Sequence, residues 1–86
     1  MKKHASHPAI VARLKRAHGH LASVLAMFAA ERSCLDLAQQ LHAVENAVSN
    51  AKRELIHDHI EHCLGVDDGS DPKATLREFK ALSKYL

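Results

Sequence analysis

Cys34, His59 and Cys63 have the side-chain types and the spacing to hold a transition metal. His59 and Cys63 stand four residues apart, so on a helix they share one face and reach a single ion. Cys34 lies far upstream, at the start of the same helical pattern. A helix rises about 1.5 Å per residue, which would set Cys34 nearly 40 Å from His59 of its own chain. A site using all three therefore takes Cys34 from a second copy packed antiparallel. Two thiolates and one imidazole suit Cu(I) in a three-coordinate site, or Zn(II) or Ni(II) with a fourth ligand added. His4 and His7 are placed to supply that ligand from the N-terminal end. The plainer alternative is a helical dimer whose cysteines act as small hydrophobes in the packing.

The elements that must position these residues follow from apolar periodicity. Residues 1–6 read as a polar, mobile arm. His7–Pro8 reads as a helix start with Pro8 at the first helical position. Ile10, Leu14, Ala17, Leu21, Val24 and Phe28 then recur at fours and threes, the seam of a packed helix. Gly19 interrupts it at a cost of about 1 kcal/mol relative to Ala, which a second backbone approaching closely would explain. After a break at 31–33, Ser33 is the N-cap of a long second helix, with Asp36 placed for a capping box. The seam of that helix is Leu37, Leu41, Val44, Val48, Ala51 and Leu55, and the same rhythm continues to His59 and Cys63. Cys34 falls in the first turn, at the positive end of the helix dipole, which suits an anionic sulfur ligand. Residues 65–71 read as a loop. Asp71–Pro72 opens a short third helix with Leu76, Phe79, Leu82 and Leu86 as its apolar positions. No strand pattern or internal repeat is present, and residues 1–86 read as one domain.

Composition narrows the classes. Hydrophobic residues make up 47% of the 86, too many for a disordered chain, while aromatics are only 3%, so Leu, Val, Ile and Ala must form the core. Two long helices and a short one cannot close a good core alone. Two protomers together would make an antiparallel four-helix bundle that buries both seams. With two cysteines, no signal-peptide pattern and no long apolar run, the chain reads as cytoplasmic, with reduced thiols and no membrane partner. Its eight histidines exceed ordinary usage and point towards metal. The net charge is only +2, but Arg13, Lys15 and Arg16 cluster near the N-terminus, with Lys52 and Arg53 further on. Such a cluster can follow a nucleic-acid backbone or simply form a solvated face. No nucleophile–base spacing, glycine-rich phosphate loop or pair of catalytic carboxylates marks an enzyme.

The runs RLKRAHGH over 13–20, Cys34, QQLHAV over 39–44 and HIEHC over 59–63 together resemble the CsoR/RcnR family of bacterial metal-sensing repressors. The resemblance covers most of the chain, from about His7 to Leu64. It implies an all-α protomer of three helices in an antiparallel dimer, assembled as a dimer of dimers. It also implies a repressor that binds operator DNA without metal and releases it when the effector binds, controlling metal efflux or resistance genes. By the same resemblance Cys34 of one protomer joins His59 and Cys63 of the other, Glu78 supports the ligand histidine, and Arg13, Arg16 and Lys52 or Arg53 contact phosphate. The Cys/His/Cys set is similar to the copper-sensing branch, although that branch usually carries Tyr where Ser33 stands. Ni(II) and Co(II) sensors add an N-terminal histidine, close to the place of His7, and nickel regulators of the NreA type are similar too. Cu(I) is narrowly favoured. The rival from another class is a cytosolic metal-buffering or chaperone protein with no role on DNA.

Overall fold

The computed structural model describes residues 6–65 and 72–86, and of 62–65 the backbone alone. It contains three helices: α1 (His7–Ala29), α2 (Cys34–Gly65) and α3 (Pro72–Ser83). Among the described residues there is no strand. The arm expected over 1–6 lies outside them except for Ser6, which stands at the N-cap position of α1 without a side-chain capping bond and whose carbonyl accepts from the Ile10 amide at 3.0 Å. The loop expected over 65–71 lies outside them except for Gly65, which α2 includes.

The turn between α1 and α2 is built from local chemistry. α1 closes on two bonds of the Schellman pattern: the Arg32 amide donates to the Met27 carbonyl and the Glu31 amide to that of Phe28, both at 3.1 Å. That closure needs a left-handed residue, and Glu31 supplies it at φ 56°. Ser33 then caps α2, its hydroxyl accepting from the Asp36 amide at 3.1 Å. The Asp36 carboxylate accepts from Arg32 at 3.2 Å, where a reciprocal capping box would turn it back on the Ser33 amide.

α1 and α2 thus form an antiparallel hairpin. Each predicted seam divides into two rows. Ile10, Ala17 and Val24 on α1 and Leu37, Val44 and Ala51 on α2 are buried; Val24, Leu37 and Val44 form a cluster with Met27 packed on it. Leu14, Leu21 and Phe28, with Leu41, Val48 and Leu55, stay between 40% and 52% exposed. These outer rows lie three or four residues from the inner ones, so they run along one edge of the hairpin. The protein measures 56 × 23 × 15 Å with a radius of gyration of 17.4 Å. A compact domain of this length would have about 12 Å, so this rod has too little interior to bury both rows.

Two expectations are corrected within the protomer. A Cβ built on Gly19 meets nothing within 4 Å, so no backbone of its own protomer explains the glycine. Leu86 also lies beyond the end of α3. α3 packs on the C-terminal part of α2. There Ile56 is buried, while Leu76 and Phe79 remain exposed.

Candidate metal centre and basic groove

α2 is one unbroken helix of 32 residues, with Cys34 at its first position and exposed. His59 is 25 residues further along the same helix, about 37 Å away at the usual rise. No single protomer brings the two together. Among the described residues, no three His, Cys, Asp or Glu side chains of one chain converge on a metal position. Cys63 belongs to α2 one turn beyond His59, with its side chain outside the description.

The His59 end is shaped by three elements. His59 Nε2 lies 2.8 Å from Glu78 Oε1 on α3, with the histidine side chain 26% exposed. An imidazole that donates from Nε2 to a carboxylate carries its lone pair on Nδ1, and the carboxylate fixes the ring's orientation. His7 at the start of α1 reaches the same end, its Nε2 3.9 Å from Asp58 Oδ2. A cleft of about 180 Å³ is lined by His7, Leu55, Ile56, His59, Glu78 and Leu82. Of the predicted metal residues, the fold brings His7 and His59 to this cleft beside Glu78 and leaves Cys34 at the far end. The donor set fits a metal shared between protomers: a histidine already oriented by a carboxylate at one end of α2, and an exposed thiol at the other.

The basic residues separate as well. Arg13 and Arg16 line a groove of about 260 Å³ between α1 and α2, with Ala17, His20, Ala47 and Asn50. Arg13 Nη1 pairs with Glu54 Oε2 at 2.9 Å. His20 Nε2 donates to Gln40 Oε1 at 2.6 Å. Lys15, Lys52 and Arg53 are exposed but do not line this groove. The sequence alone did not single out Glu54, Asn50 or Asp58, and Gln40 entered only as part of the run over 39–44. Counting outward from the turn at 31–33 would have found them, because an antiparallel hairpin sets the start of α1 beside the end of α2.

The model of the family described as metal-sensitive transcriptional repressor matches residues 6–85. The chain belongs to that family. Among curated relatives of this repressor family, the copper-sensing transcriptional repressor CsoR of Mycobacterium ulcerans (strain Agy99) is 38% identical over 52 residues, covering 60% of this chain and 44% of the relative. CsoR of Bacillus subtilis (strain 168) is 36% identical over 55 residues, covering 64% of this chain and 54% of the relative. The copper-sensing repressor RicR of Mycobacterium tuberculosis (strain ATCC 25618 / H37Rv) is 29% identical over 52 residues, covering 60% and 54%. The chain thus spans about half the length of the curated relatives it matches. No solved structure matches it with significance. No helix of the described residues is long and apolar enough to cross a membrane.

Proposed function

We propose that this protein is a cytoplasmic, metal-responsive transcriptional repressor that holds operator DNA in its apo form and releases it on binding a transition metal. The observation that carries the proposal is the layout of α2. Cys34 and His59 sit at opposite ends of one helix, on the same side as its outward row Leu41, Val48 and Leu55. Two copies packed antiparallel through that row bury it. With Val48 opposite itself, Leu41 meets the partner's Leu55. Cys34, 14 residues before Val48, falls opposite position 62, between the partner's His59 and Cys63. The pairing that buries the apolar row is therefore the one that assembles the ligands. Two hairpins joined in this way make an antiparallel four-helix bundle, with a dimer of dimers as the further assembly.

Cys34, His59 and Cys63 would hold the ion, with Glu78 orienting His59. Two sulfur donors and one imidazole favour Cu(I), and the relatives named copper-sensing support that choice. Ni(II) or Co(II) is the alternative, with His7 as the added ligand. Arg13 and Arg16 in the groove, with Lys15 and Lys52 or Arg53 outside it, supply the positive charge for phosphates. Release requires that the liganded dimer favour a packing with lower DNA affinity, because only differential affinity shifts an equilibrium.

The test is fluorescence anisotropy of labelled upstream duplex DNA with the reduced apo-protein, titrated anaerobically with Cu(I) and separately with Ni(II). The expected result is salt-dependent binding and release by one metal, with Cys34→Ala binding DNA but no longer releasing it. Tight metal uptake without DNA binding would leave a metal-buffering protein. Unaltered release by Cys34→Ala would overturn the ligand assignment.

A further inference from the structure

We infer that Glu45 and Lys52 form reciprocal ion pairs across the α2–α2 contact and set its antiparallel register. The inference rests on the dimer described above. Val48 stands at the centre of the outward row. On a helix, residues three and four away share its face. Val44 and Ala51 flank Val48 on one side and are buried against α1. Glu45, three residues before Val48, and Lys52, four after it, flank it on the other side. Both are exposed. Glu45 is 78% exposed, and among the described residues its one ion-pair partner is His42 Nδ1 at 3.8 Å. No carboxylate of the same protomer pairs with Lys52 among the described residues.

With Val48 on the two-fold axis, Glu45 faces the partner's Lys52, and Lys52 faces the partner's Glu45. The competing arrangements lose these pairs. In a parallel two-fold pairing the flanks that carry Glu45 and Lys52 lie on opposite sides of the contact, so neither residue reaches its partner in the other chain. An antiparallel pairing displaced by one heptad sets one like-charged pair together. Unlike charges thus meet only in the register that aligns Cys34 with the partner's His59 and Cys63, a device that acts through specificity more than through strength. Lys52 then belongs to the interface, which leaves Arg53 as the exposed charge of that segment.

Sedimentation of the reduced full chain tests this. Glu45→Lys and Lys52→Glu each bring like charges together twice per dimer, and each should weaken association roughly tenfold or more. An equimolar mixture of the two variants should recover it, because every contact in the mixed dimer joins unlike charges. Helicity by circular dichroism should stay unchanged throughout. Single variants that associate like the wild type, or a mixture no tighter than either variant alone, would overturn the pairing while leaving the dimer standing. A wild-type chain that stays monomeric would remove the dimer and the pairing together.

Discussion

Glu78 stands 2.8 Å from His59 and comes from a different helix, so this histidine is held by tertiary packing. A carboxylate behind a ligand imidazole fixes the tautomer and raises the basicity of the other nitrogen; removing such support typically lowers metal affinity 10–100-fold. Glu78→Gln keeps the size of the side chain and removes its charge. Its expected effect is a fall in metal affinity of about that size, read by competition with a chelator, with self-association unchanged. An unchanged affinity would make Glu78 only a surface partner of His59. Glu78 could be named from the family pattern, but its distance from His59 could not. That distance depends on how α3 returns to α2 across residues 66–71, which no helical periodicity describes.

The joints and faces of the helices show what local sequence fixes and what it leaves open. Glu31 adopts φ 56° at the end of α1, a conformation that costs an L-residue roughly 1–2 kcal/mol and glycine almost nothing. Glycine also loses more freedom on folding. Glu31→Gly should therefore stabilise the protein by about 0.5–1 kcal/mol, read as a higher urea midpoint at constant slope. A lower midpoint would show that the Glu31 side chain contributes more than its strained backbone costs. Gly19 is the mid-helix counterpart. With open space around its Cβ position, Gly19→Ala should gain about 1 kcal/mol and leave self-association unchanged. Weaker association instead would place another copy's backbone against Gly19 in the assembly. The Ser33 cap and both apolar seams were legible because they rest on neighbours three and four residues apart. Which row of each seam faces the other helix was not legible. Ile10, Ala17 and Val24 have the same spacing as Leu14, Leu21 and Phe28, and only the path of the turn decides which row goes inside.

At the scale of the molecule, a rod 56 Å long carries a row of half-exposed leucine, valine and phenylalanine side chains that the proposed dimer would bury. The sequence indicated the need for a partner through the separation of Cys34 from His59. The hairpin adds that the apolar row and the positions of Cys34 and His59 lie on one side of α2. The proposed placing of one ligand at the start of α2 and the others near its end also has a genetic consequence. In the proposed dimer the two sites lie at opposite ends, and each borrows from both chains. A chain bearing Cys34→Ala and a chain bearing His59→Ala should each lose tight metal binding when paired with themselves. Paired with one another, they put both lesions into one site and leave the other whole. Two alleles that are null alone should therefore complement, with one tightly held ion per mixed dimer when differently tagged chains are purified together. Sites confined within single chains would show no such rescue.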